Sequence, residues 1–143
     1  MNFIESISQR LLVALKEPIE ALEHHLVGAF PRLLVVNSEN GMRAYPLYAY
    51  ISVCEDHSDG DELLVLCVSI WTDGHNHSLN ADLCTGTGGT LMEVKPYTWQ
   101  NDDVDLASVD AWIESAQALI DNAFEPAATH LRACMNSKSG EKA

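Results

Sequence analysis

A chain of 143 residues is the size of one domain, and it buries enough apolar surface to fold without a disulfide or metal staple. Its composition, 47% hydrophobic and 20% charged, is globular, and no run reaches the ~20 apolar residues that a membrane helix needs. A net charge of −13 argues against nucleic acid and anionic membranes as partners, because both would be repelled.

The N-terminus "MNFIESISQRLL" has an early acid and lacks the basic lead of a secretory leader, so a cytoplasmic home is expected. Phe3, Ile4, Ile7, Leu11, Leu12 and Leu15 recur at helical spacing. Pro18 has no N–H and crowds the preceding turn. The reading therefore places a kink or break near Lys16–Glu17 and a second helical piece through "PIEALEHHLVGAF". Gly28 and Pro31 end it.

Beyond Arg32 the hydrophobic period changes. A short strand is expected at 33–36, with a turn at "SENG". Strand-like runs follow at 44–53, 62–72, 77–84 and 90–95. Their separators, "EDHSDGD", "DGHN" and "TGTGG", have hairpin length and turn-forming residues. Parallel strands would need longer crossovers, so the strands form an antiparallel meander. Alternation puts Leu47, Ala49, Ile51 and Val53 on a core face with Leu79, Ala81 and Leu83. Tyr48, Tyr50, Ser78, Asn80, Asp82 and Cys84 fall on the other, mixed face. The run "ELLVLCVSIW" is apolar on both faces and should be the most enclosed.

Residues 97 to 107 read as an acidic connection. Val109, Trp112, Ile113, Ala116, Leu119, Ile120, Ala123 and Phe124 then form a helical stripe, with Ser108 as its N-cap. Pro126 can open a last helical piece, and residues 136–143 form a polar tail. The expected architecture is a single α+β domain over 1–143. It has a four- or five-stranded antiparallel meander, with N-terminal and C-terminal helices packed on the sheet.

The motifs that resemble chemistry weaken on inspection. Cys54, Cys67, Cys84 and Cys134 include no C-x-x-C pair, which points to reduced thiols and not to zinc. In "GHNH", His75 and His77 supply two nitrogens near Asp73, but zinc wants three or four ligands. "TGTGG" runs into a strand, whereas a phosphate loop opens a helix. "EDHSDGDE" puts its glycine and closing position out of step with a calcium loop. No G-x-S-x-G is present, and no cysteine lies beside an evident base. No catalytic residue, metal ligand or cofactor is assigned.

What remains is charge and surface. From Ala44 to Leu131 the chain holds fifteen acids and one basic residue, Lys95. Such a field attracts cationic partners and speeds their encounter. Asp56, Asp59, Asp61 and Glu62 form one acidic patch at a sheet end. Asp102, Asp103 and Asp105 form a second, expected toward the other end. Tyr48, Tyr50 and Asp82 share the mixed face, where tyrosine's apolar body and polar tip suit an interface.

In its acidic stretches "CEDHSDGDE" and "QNDDVDLASVD", and in the meander between them, the chain resembles bacterial immunity proteins of contact-dependent-inhibition and polymorphic toxin systems. The resemblance is one of type, carried by size, acidity and α+β character over the whole chain. It implies a non-catalytic protein that binds a basic toxin domain, often a nuclease, as monomer or homodimer. Two alternatives stand beside it. One is a homodimer like a type III secretion chaperone, although the helix usual between its strands is not evident here. The other is a small metal-dependent hydrolase using Asp73, His75 and His77.

Overall fold

The N-terminal stripe folds as one helix, α1 (Phe3–Ala29), in the computed structural model, which describes residues 3–40, 45–55 and 61–141. Its buried residues, Ile7, Leu11, Leu15, Leu22 and Leu26, lie four or seven apart and so share one face. The break expected near Lys16–Glu17 does not occur, and Pro18 sits inside the helix. Pro18 deprives the Ala14 carbonyl, four residues earlier, of its helical donor. The side chain of Gln117, on α2 (Leu106–Asp121), donates to that carbonyl at 3.0 Å. A tertiary hydrogen bond thus takes the place of the one proline removes.

Six strands follow: β1 (Leu33–Asn40), β2 (Leu47–Glu55), β3 (Glu62–Thr72), β4 (Asn76–Thr85), β5 (Thr90–Glu93) and β6 (Tyr97–Gln100). The order β1–β2–β3–β4–β5 is an antiparallel meander, and β6 pairs with β4. β5 takes Asp82 to Cys84 of β4, and β6 takes Asn76 to Leu79, so the two lie in series along one edge. Two sequence readings are corrected here. Residues 97 to 100 are a strand and not part of a connection. Ser38, Glu39 and Asn40 belong to β1, pairing with Tyr50, Ala49 and Tyr48, and not to a turn. Cross-strand partners outweigh local turn preference in both places.

β3 lies at the centre of the meander, as its two apolar faces required. Leu64, Leu66, Val68 and Ile70 join Leu47, Ile51, Val53, Leu79, Ala81 and Leu83 in one core. α1, α2 and α3 (Phe124–Glu141) direct their buried residues into the same core, giving two layers.

α2 begins three residues earlier than the Ser108 reading allowed. Asp105 is its N-cap, accepting from the Ala107 N–H at 3.1 Å and from the Ser108 hydroxyl at 2.8 Å. The stripe expected through Phe124 divides at Asn122, where α2 ends and a new helix axis starts. Pro126 lies in the first turn of α3, which extends to Glu141. Among the described residues no helix is long and apolar enough to cross a membrane.

Candidate functional site: an uncovered sheet face

All three helices pack into the core on the sheet's first face, and among the described residues no helix covers the second. Strand register assembles it row by row. Ser38, Tyr50, Cys67, Asp82 and Glu93 form one row across five strands. Val36, Ser52, Val65, Cys84 and Thr90 form the next. Tyr48, Ser69 and Asn80 lie on the other side of the first row. A bulge at Val53/Cys54 brings Glu62 opposite Cys54, and the Ser52 hydroxyl donates to Glu62 at 2.7 Å. Only Ser52 and Ser69 are buried here; Tyr48, Tyr50, Cys67 and Asp82 remain half-exposed. Tyr45, Tyr48 and Tyr50 form an edge-to-face ladder with ring centroids 5.9 and 5.6 Å apart. Among the described residues, no position in these rows carries lysine or arginine.

The face is partly desolvated, and its titrating groups register this. Burial raises the Asp82 carboxyl; a hydrogen bond from Cys84 opposes the rise and the charge of Glu93 adds to it. Burial also raises the thiols of Cys67 and Cys84, with Asp82 adding to both. Tyr48 is pushed up to about 12, first by the charge Cys67 carries once ionised and then by burial. The upward shift of Cys67 and Cys84 disfavours their thiolates, the nucleophilic form. Asp82 sits in a partly desolvated part of this surface, where a cation would gain most from pairing with it, whereas Glu62 and Glu93 are exposed.

The acids singled out in the sequence fare differently. Asp56 and Asp59 lie outside the described residues. Asp61 and Glu62 are exposed at the β2–β3 end, and Glu62 belongs to the open face together with Tyr48, Tyr50 and Asp82. Asp102 and Asp103 are exposed at the opposite end, beside the β3–β4 turn, since the Asn101 N–H donates to the His75 carbonyl at 2.6 Å. Asp105 is committed to capping α2. Glu93 and Tyr45 were missed. The tight "DGHN" turn fixes Cys67 opposite Asp82, but Glu93 reaches Asp82 only through a shift at Leu83/Cys84.

The other sequence motifs build turns. Asp73 accepts from the backbone N–H groups of His75 and Asn76 at 2.9 and 2.7 Å, and from the Asn76 side chain. These bonds, those from Asn76 first, lower its carboxyl to about 2. His77 is buried against Trp99, with ring centroids 5.0 Å apart. Its Nδ1 lies 2.7 Å from Thr72 Oγ1 and its Nε2 lies 3.1 Å from the Asn101 carbonyl. Nδ1 thereby ties the ring to the end of β3, and Nε2 holds the β6–α2 connection, where Asn101 has φ 54°. In "TGTGG", a Cβ on Gly86 would fall 1.6 Å from the Glu62 carbonyl oxygen, so glycine is demanded by backbone contact and not by a phosphate. His130 Nε2 donates to the Leu63 carbonyl at 3.0 Å and pins α3 to β3. Among the described residues no three His, Cys, Asp or Glu side chains gather as metal ligands. Comparison with protein-family models, curated proteins and solved structures finds no match to this chain.

Proposed function

We propose that this chain is a non-catalytic binding protein whose open sheet face takes a cationic protein partner, as an immunity protein takes a basic toxin domain. One observation carries the reading. A broad face that no described helix covers holds Glu62, Asp82 and Glu93 beside a tyrosine ladder, with no lysine or arginine in its described rows. The net charge of −13 supplies long-range steering. Tyr48 and Tyr50 supply rigid amphipathic contact, the kind that anchors durable interfaces. Asp102 and Asp103 extend the negative field at one end and serve encounter more than anchoring.

The test is capture from source-cell lysate at low salt, with stepwise salt elution and identification of what is released. The full chain is compared with a variant carrying Glu62→Lys, Asp82→Lys and Glu93→Lys. The reading expects one basic protein domain, released only at high salt and retained by the unaltered chain alone. Equal capture by the reversed variant, or no basic partner at all, would refute it.

A further inference from the structure

The two edges of the sheet are built differently. The far edge consists of two four-residue strands, β5 and β6, separated by Val94, Lys95 and Pro96, with a register shift at Leu83/Cys84. Short strands, a lysine, a proline and a bulge are the devices that keep an edge from pairing with another chain. The β1 edge has none of these. β1 pairs with β2 at eight consecutive positions without a shift, and its sequence "LLVVNSEN" has neither proline nor lysine. Leu34 and Val36 are 48% and 38% exposed along it. The outward N–H and C=O groups of such a strand are a template for one more strand.

Charge selects the occupant. Two copies of −13 repel each other over most of their surfaces. Acids flank the strand, Glu39 near its end and Glu23 of α1 accepting from the Asn37 side chain at 3.4 Å, but Leu33 to Val36 holds none and follows Arg32, so this half of the rim is where a like-charged copy can approach. Antiparallel pairing of identical strands also closes on itself about a two-fold axis, giving a dimer and not a fibre. We propose that the chain forms a homodimer by antiparallel pairing of two β1 strands about an axis at Val35. In that register Leu34 of each copy faces Val36 of the other, so the exposed apolar side chains cover one another. Equivalent faces stay on the same side, and the two tyrosine faces become one continuous surface. The pairing stands independently of what that surface binds.

Sedimentation equilibrium of the full chain over a range of concentrations tests this. The expected mass is twice 15.7 kDa, and added salt should tighten the dimer by screening the repulsion. Val36→Lys should weaken association by about tenfold or more while melting like the unaltered chain. Val13→Lys, the same change at a position on α1 that is 77% exposed, should leave association unchanged. If Val36→Lys fails to fold, Leu34→Lys, at the more exposed position, takes its place. A monomer at every concentration would overturn the proposal, as would an assembly that survives the β1 lysine.

Discussion

Removing the Gln117 amide should cost α1 more than an exposed glutamine normally does. Gln117 Nε2 donates at 3.0 Å to the Ala14 carbonyl, whose helical partner is lost to Pro18. Both residues are half-buried. A neutral hydrogen bond contributes ~1 kcal/mol net, and leaving a partly buried acceptor empty costs ~1–3 kcal/mol. Gln117→Ala should therefore destabilise by about 1–2 kcal/mol, because water reaches part of the vacated carbonyl. Pro18→Ala restores an N–H within the helix and relieves the ring's clash, a gain of up to ~3 kcal/mol. In that background the Ala14 carbonyl has its ordinary donor, so Gln117→Ala should cost under about 0.5 kcal/mol. The assay is urea denaturation of the four proteins of the cycle, with equal m-values as the check on two-state comparison. A coupling of about 1 kcal/mol is expected. Additive single-mutant effects would refute the argument that Gln117 substitutes for the missing bond.

Gly86→Ala should destabilise by more than about 2 kcal/mol in the same assay, since its methyl group meets backbone and not a movable side chain. Asp105→Ala should cost about 1 kcal/mol through loss of the α2 cap, whereas Asp102→Ala and Asp103→Ala, at exposed turn positions, should stay within about 0.5 kcal/mol. Asp73 and Asp82 should show opposite pH dependence in thermal melts. The Asp73 carboxyl is lowered from 3.8 to about 2, so its ionised form stabilises the fold above the unfolded value and loses that effect as pH falls toward 2. Asp73→Ala is therefore harmful at neutral pH and progressively less so in acid. The Asp82 carboxyl is raised, so its ionised form costs stability at neutral pH and protonation relieves the cost. Asp82→Asn should raise the neutral melting temperature, and the advantage should shrink as pH falls through the raised carboxylate range. Matching pH trends for the two would contradict the assigned causes.

The strands were legible where alternation ran long enough to show, as in Leu79, Ala81 and Leu83, and where a tight turn fixed the register. β6 was not, because four residues carry too little alternation, and its place beside β4, with Trp99 opposite His77, is a tertiary contact that local periodicity does not encode. The helix through Pro18 was illegible for a different reason: its compensating donor lies 103 residues away. The cap was read at Ser108, a residue type that caps well, but Asp105 three positions earlier takes that place and accepts from the Ser108 hydroxyl. For the candidate site, face membership of Tyr48, Tyr50 and Asp82 followed from period two. The inclusion of Glu62 and Glu93 did not, since each depends on a bulge that shifts the count by one.

The account's central claim is that the open sheet face receives the cationic partner, and the chain carries its own reporters for it. Cys54, Cys67 and Cys84 lie on that face, while Cys134 lies on α3 against His130, and all four are free and half-buried. The most direct measurement is the rate of thiol labelling at each cysteine, by mass spectrometry, with and without the captured partner at mildly alkaline pH. The account predicts that the partner slows labelling of Cys54 and Cys84 strongly, and of Cys67 from its lower starting rate, while Cys134 is unchanged. Protection of Cys134 alone, or of none of the four, would place the partner elsewhere and contradict the claim.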